Sequence, residues 1–233
     1  MTTPDAPSTT GVDRVEVFFD PMCPYAYQTS RWLRDVRAQT GLALTWRFFS
    51  LEEINRVEGK KHPWERRWSY GWSQMRIGAV LRRRSMDELD RWYAAVGQAF
   101  HLEGRRTHDP DVHRALLDEL GMGADTLDEA LDDPTTSDEV RADHDEAVGV
   151  HAAFGVPTLV LPSGRAQYLQ MVPAPPDPDD ARALWDLVVA YDRFPTVFEV
   201  RHPKRPEDLG LIASTFEPYL RARDWQTIEN AAP

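Results

Sequence analysis

The order of hydrophobic patterns along the chain constrains its fold more than any other feature. Residues 15–20 form an apolar run that predicts a buried strand. Residues 25–40 have apolar positions at helical spacing, and Gly41 follows them as a common helix stop. Residues 42–49 predict a second strand. Together these segments are typical of a βαβ unit, whose crossover is expected to be right-handed.

The middle of the chain predicts an all-helical block. Residues 51–153 show helical periodicity and few strand-like runs. Within them, Pro134 predicts a break, and Ser137 or Asp138 is expected to cap the helix that follows. Three tryptophans recur at every fourth position and predict one face of a helix: Trp64, Trp68 and Trp72. A core role is favoured for them over a substrate-facing wall, although both remain open.

Strand patterns return after the helical block. Residues 158–161 and 166–171 flank a turn sequence and predict a β-hairpin. Residues 179–191 then predict an amphipathic helix. Four of its side chains are expected to face inward: Leu184, Trp185, Leu187 and Val188. Further on, 198–200 is expected to be a short strand and 218–228 a helix.

This order predicts an α/β protein with a thioredoxin-like fold and a large all-helical insertion. The thioredoxin-like domain is expected to comprise residues 13–50 and 154–205, with the insertion at 51–153 between them. Residues 1–12 are expected to form a disordered tail. Residues 206–233 are expected to form a C-terminal extension.

The only cysteine of the chain, Cys23, stands where the first helix should begin. It follows a strand and a short turn, and Pro24 suits the first position of a helix because its missing N–H is not needed there. Unpaired N–H groups and the helix dipole favour thiolate at such a position, so we expect a lowered thiol pKa and a nucleophilic sulfur. With no second cysteine, any redox cycle needs a thiol from outside the chain.

A proline provides the second element of the site. Pro157 opens the strand after the helical block, where thioredoxin-type folds place a cis-proline facing the reactive cysteine. We therefore expect the backbone of Val156 to lie beside Cys23 and to pair with a bound thiol compound.

Cys-Pro-Tyr-Ala at 23–26 together with Gly-Val-Pro-Thr at 155–158 resembles the DsbA-like thioredoxin-fold superfamily. Within it, the chain is most similar to the mycothiol-dependent nitroreductase family. Five further segments support the closer match: residues 19–21, 29–32, 184–186, 194–195 and 198–200. The resemblance implies a cytoplasmic thiol oxidoreductase that uses a low-molecular-weight thiol, mycothiol or similar, as cosubstrate. A small electrophilic or disulfide compound would be its substrate.

The chain departs from that family at two positions of the motif. The family typically has Cys-Pro-Trp-Cys, whereas here Tyr25 replaces the tryptophan and Ala26 replaces the second cysteine. The resemblance therefore implies a monothiol mechanism, in which catalytic Cys23 attacks and a small thiol completes the cycle. The residues expected to bind the substrate or thiol are Pro24, Tyr25, Ala26, Tyr27, Val156, Pro157 and Trp68.

Two other functions remain open. Kappa-type transferases and hydroxychromene carboxylate isomerases share an inserted-helix thioredoxin fold and act without a resolving cysteine, with the bound cofactor thiol as the reactant. The third hypothesis is a binding module that lost its redox cycle through the change at Ala26.

Composition excludes some partners and suggests others. The net charge of −11 argues against nucleic acid, which needs a basic face. No run approaches the ~20 apolar residues of a membrane span, and the polar start has no secretory pattern, so a cytoplasmic location is expected. The eight tryptophans are compatible with a homodimer. Arg82–Arg84 is expected to be a solvated helix face.

The sequence predicts no metal site and no flavin or nucleotide motif. The run 143–146 contains acidic residues and a histidine, but neighbours in a helix point in different directions, so a solvated face is favoured. His108 and His113 do not have the spacing of a helical zinc pair. No glycine-rich phosphate loop is present.

Overall fold

A four-stranded mixed sheet organises the chain. The computed structural model describes residues 11–106 and 109–223, so most of the predicted N-terminal tail lies outside the described residues. The strands are β1 (Arg14–Phe19), β2 (Ala43–Phe48), β3 (Thr158–Val160) and β4 (Ala166–Tyr168). Their order in the sheet is β2-β1-β3-β4, with β1 parallel to β2 and antiparallel to β3. The predicted βαβ unit and hairpin are confirmed, although β4 is shorter than predicted.

Helices pack on this sheet, and most of them lie between β2 and β3 in the sequence. The first helix is α1 (Pro24–Thr40). The described residues between β2 and β3 contain a 3₁₀ turn at Pro63–Glu65 and six helices: α2 (Leu51–Ile54), α3 (Tyr70–Arg84), α4 (Met86–His101), α5 (Pro110–Glu119), α6 (Thr126–Asp132) and α7 (Pro134–Gly149). Two more helices complete the described chain: α8 (Pro178–Tyr191) and α9 (Pro206–Ala222). None of the helices in the described part of the chain has the length and apolarity that a bilayer crossing requires.

Side-chain hydrogen bonds connect α1 to α8 on one side and to α4 on the other. The Trp32 indole is fully buried and donates a 2.8 Å hydrogen bond to the carbonyl of Ala181 on α8. On the other side, the carboxylate of Asp90 on α4 accepts from Arg34 and Arg37 of α1 and from the Trp46 indole of β2. Asp90 thus ties the helical region to the sheet and to the helix that begins at Cys23.

The three regularly spaced tryptophans do not share one helix. Trp64 lies in the 3₁₀ turn, Trp68 precedes α3, and Trp72 lies within α3. The backbone is extended at Arg66 and Ser69, so the helical spacing is interrupted. Trp72 is buried and its ring contacts that of Trp64 at 5.2 Å, which agrees with a core role for that pair.

Helix starts differ from the sequence pattern where proline occupies the first turn. Pro134 begins α7 rather than breaking it, and the side chain of Asp133, not Ser137 or Asp138, caps that helix. Proline is compatible with the first turn because the N–H it lacks has no partner there. Pro218, predicted to start a helix, instead lies inside α9. Residues 224–228 of that prediction lie outside the described part.

Two further predictions near the end of the chain are wrong. Residues 198–200 form no strand, and Phe198 and Val200 are 90% and 80% exposed. Alternation predicts a strand only where a neighbouring strand can pair with it. In α8, Leu187 is 63% exposed whereas Trp185 and Val188 are buried, because these positions lie on different sides of the helix.

Side chains of the two charged segments, Arg82–Arg84 and residues 143–146, form ion pairs within the protein. Arg82 and Arg83 of α3 both form ion pairs with Glu139 of α7. Asp143 is buried and accepts hydrogen bonds from Arg47, Arg82 and the backbone N–H of Phe48. The predicted solvated faces are therefore wrong at Arg82 and Asp143, which meet across the interface of α3 and α7. Arg83, Arg84 and Asp145 are exposed.

Candidate active site

Cys23 lies at the N-cap of α1, as predicted. Its sulfur accepts a hydrogen bond from the backbone N–H of Ala26 at 3.4 Å, and its own N–H bonds to the carbonyl of Asp20 at 2.9 Å. Pro24 occupies the first turn of the helix. The strand-turn-helix sequence therefore places the thiol among the free N–H groups of a helix end.

The loop before β3 brings Val156 and Pro157 to the same thiol. The Val156–Pro157 peptide bond is cis, and the Cys23 thiol donates a 3.4 Å hydrogen bond to the carbonyl oxygen of Val156. The two sequence segments, 133 positions apart, thus meet as the pattern predicts. Val156 is buried with its side chain in the core.

The protonation state of Cys23 differs from the sequence-based expectation. The residue is only 6% exposed. Burial raises the pKa of the Cys23 thiol to about 12, and the nearby charge of Asp20 adds to the increase, although the N–H groups of Ala26 and Tyr25 act in the opposite direction. The expected lowered pKa is wrong for this conformation, because loss of hydration outweighs the helix terminus. The thiol is protonated at neutral pH.

Asp20 is a buried carboxyl group beside this turn. Its two oxygens accept hydrogen bonds from the backbone N–H groups of Met22 and Leu51, both at 2.8 Å. Burial raises the pKa of Asp20 to about 7, while those two bonds and the charge of Arg223 lower it. A Cβ at Gly71 would lie 2.5 Å from an Asp20 oxygen, so glycine is required for this close approach.

Aromatic rings surround the turn. Tyr25 meets Phe216 of α9 edge-on, with ring centroids 5.0 Å apart. Tyr27 differs from the expectation that it flanks a substrate, because it is buried and stacked on His101. Trp68 packs on the ring of His113. A role for Trp68 in substrate binding stays a prediction.

Sequence reasoning missed His101 and the α9 side chains. His101 is buried at the end of α4, and its Nε2 donates a 2.9 Å hydrogen bond to the carbonyl of Pro21 in the Cys23 turn. Burial lowers the pKa of His101 to about 4, so the imidazole is neutral. A histidine closing a helical pattern gives no sign of such a role, since its partner lies 80 positions away.

The alkylation rate of Cys23 should rise about tenfold per pH unit from pH 7 to beyond pH 9, without a plateau, because the protonated thiol predominates throughout that range. Iodoacetamide labelling followed by intact mass measures this rate. A small model thiol serves as the control, and its alkylation rate should level off above about pH 8.5. A plateau below pH 8.5 in the protein would contradict the raised pKa.

Comparison with known proteins places this site in a family. A family model described as mycothiol-dependent nitroreductase, Rv2466c-like, matches residues 22–202, which include Cys23 and the Val156–Pro157 loop. The chain belongs to the Rv2466c-like family. A Mycobacterium tuberculosis protein designated Rv2286c, described as uncharacterized, is 55% identical over 214 residues, 92% of each chain.

Solved structures related to this Rv2466c-like protein share its fold. The cytosolic disulfide reductase DsbM from Pseudomonas aeruginosa, solved with GSH, has a TM-score of 0.53 at 18% identity, over 76% of this chain and 99% of that one. A 2-hydroxychromene-2-carboxylate isomerase has a TM-score of 0.57 at 16% identity, over 77% and 95%. The predicted α/β, DsbA-like thioredoxin fold with a helical insertion is confirmed.

Proposed function

We propose that this Rv2466c-like protein is a cytoplasmic thiol oxidoreductase that works through the single thiol of Cys23. One observation carries the proposal: Cys23 caps α1, and its sulfur lies 3.4 Å from the carbonyl of Val156 next to cis-Pro157. The mycothiol dependence in the family's description supports a low-molecular-weight thiol of the mycothiol type as cosubstrate.

The proposed cycle has two thiol–disulfide exchanges. The Cys23 thiolate first attacks a mixed disulfide between the small thiol and a second compound, forms a Cys23–small-thiol disulfide and releases the second compound as a thiolate. A second molecule of small thiolate then attacks that disulfide and frees Cys23. In the net reaction, the mixed disulfide and one free small thiol become the reduced second compound and the disulfide of two small thiols, so one disulfide bond breaks for each one that forms. Because position 26 is alanine, no second cysteine can reduce the disulfide on Cys23, and an external thiol must do so.

The surrounding residues have supporting roles in the proposal. The Ala26 N–H stabilises the sulfur anion, and Pro24 starts the helix that presents that N–H. The backbone of Val156 would pair with the incoming thiol compound, and Pro157 sets its direction. Tyr25, which is partly exposed, would contact the substrate.

Incubation with oxidised mycothiol should add one mycothiol to the protein, at Cys23, because the first exchange leaves a stable mixed disulfide when no further thiol is present. Intact mass and peptide mapping measure the adduct, and excess reduced mycothiol should remove it. Cys23→Ser is the matched control and should remain unmodified. A folded protein that forms no adduct at pH 9 would exclude the redox cycle and leave a thiol-dependent transferase or isomerase, or a binding module.

A second candidate is a thiol-dependent transferase or isomerase. The observation that favours it is the protonated Cys23 thiol, which donates to Val156 and could orient a bound cofactor thiol rather than attack. In that case the cofactor sulfur reacts, and serine at position 23 could supply the same hydrogen bond. Activity that survives Cys23→Ser would favour this candidate over the oxidoreductase.

A further inference from the structure

One face of α9 lies on the turn that contains Cys23. Phe216 and Tyr219 are three positions apart on one side of α9, and the guanidinium of Arg223, the C-cap residue after the helix, lies 5.4 Å from the centre of the Tyr219 ring. We call them the α9 stripe. Phe216 contacts Tyr25, two positions after Cys23, at a centroid distance of 5.0 Å. The match to the family model ends at residue 202, before this helix begins.

Tyr219, in the middle of the α9 stripe, is linked to the Cys23 turn through His101. The Tyr219 ring packs on that of His101 at 4.9 Å, and His101 donates its hydrogen bond to the Pro21 carbonyl. Tyr219 is 3% exposed, and Phe216 is 7% exposed. At the end of the stripe, the charge of Arg223 lowers the pKa of Asp20 against the larger, opposite effect of burial. The stripe therefore contacts Tyr25 directly, is linked to Pro21 through His101, and acts on Asp20 through the charge of Arg223.

The remainder of α9 is largely exposed. Phe216 and Tyr219 are its only buried residues, whereas Leu209, Leu211 and Leu220 are each about half exposed, at 54%, 47% and 53%. Residues 195–205, which lead into the helix, have no helix or strand and are exposed. A helix anchored by so few buried side chains is expected to detach at a lower free energy than the core elements.

We propose that α9 is a movable cover over Cys23, and that the α9 stripe must leave the Cys23 turn before a substrate can reach the sulfur. In the seated position, Phe216 and Tyr219 belong to the aromatic packing beside Cys23, which is only 6% exposed. This inference goes beyond the proposed function, because it concerns access to the sulfur and holds whether the protein is an oxidoreductase or a transferase.

Displacement of α9 would also change the chemistry of the thiol. Water would reach the sulfur and reduce the burial that raises the pKa of Cys23. The hydrogen bond from the Ala26 N–H lies within α1 and its cap, so it would remain to stabilise the thiolate. Opening would therefore couple substrate access to formation of the reactive anion.

Phe216→Ala in the full chain tests the cover. We expect the iodoacetamide reaction of Cys23 at pH 8 to accelerate by roughly tenfold or more, because the contact with Tyr25 and the burial of Phe216 are lost. Leu211→Ala is the matched control: it removes a half-exposed side chain from the same helix and should keep the wild-type rate. Circular dichroism checks that both variants are folded.

The urea dependence of labelling gives a second test, on the unaltered protein. Local detachment of α9 exposes little surface, so the labelling rate should depend on urea much more weakly than global unfolding does. A labelling slope equal to that of global unfolding, or a folded Phe216→Ala variant that reacts at the wild-type rate, would overturn the cover. Neither measurement uses mycothiol, so failure of the cover and failure of the redox cycle are distinguishable.

Discussion

Turnover of a mixed disulfide with mycothiol as reductant should fall by at least about a thousandfold in Cys23→Ser, because a serine hydroxyl stays protonated and cannot form the disulfide intermediate. Cys23 is the only sulfhydryl in the chain, so no other residue can take over the attack. The measurement is the initial rate at which 2-mercaptoethanol is released from its mixed disulfide with mycothiol.

A control from the same helix separates loss of chemistry from loss of structure. Asp35 lies on the exposed side of α1, and Asp35→Ala should retain the wild-type rate. The Cys23→Ser variant should keep its thermal midpoint close to that of the wild type, since the substitution is small. A Cys23→Ser protein that still releases 2-mercaptoethanol at a rate near that of the wild type would refute the monothiol cycle.

Asp90→Ala should lower the free energy of unfolding by about 3 kcal/mol, because it removes a buried carboxylate that pairs with two partly exposed arginines and a buried indole N–H. Asp90 is 7% exposed, and its carboxylate accepts from Arg34 at 2.8 Å, Arg37 at 2.7 Å and the Trp46 indole at 2.9 Å. Without it, the fully buried indole N–H and the Arg37 guanidinium lose this acceptor, while Arg34 retains its hydrogen bond to Ser30. Urea denaturation followed by tryptophan fluorescence measures the change.

Asp35→Ala again provides the comparison, because it removes an exposed carboxylate from α1. Its free energy of unfolding should stay within about 0.5 kcal/mol of that of the wild type. If Asp90→Ala were no more destabilised than Asp35→Ala, the contact of α4 with α1 and β2 would not depend on this cluster. The helical region would then be held to the sheet by apolar packing and by the hydrogen bonds of Asp143 with Arg47 and Phe48 of β2.

The position of Cys23 at a helix N-cap could be predicted because it depends on residues that are close to it in the sequence. An apolar run, a turn, Cys23 and Pro24 follow one another without interruption, and a helix cap depends only on neighbours within one turn. Pro157 could be assigned because it opens the strand after the helical block, where thioredoxin-type folds place a proline that faces the reactive cysteine. The meeting of Cys23 with Val156 follows from that topology.

The surroundings of the sulfur were not predictable in the same way. The side chains that cover the turn, Phe216 and Tyr219 of α9 and His101 of α4, lie about 80 or more positions from it in sequence. Their patterns were consistent with ordinary amphipathic helices. Nothing in such a pattern states which surface a helix packs against.

The sequence by itself determined the element order, the helix N-cap that holds Cys23 and the lack of a second thiol, since each depends on residue identity and short-range geometry. Only the tertiary structure decided the state of that thiol. Hydration of a sulfur is set by every segment packed around it, and here burial raises the pKa of Cys23 although the helix terminus acts to lower it.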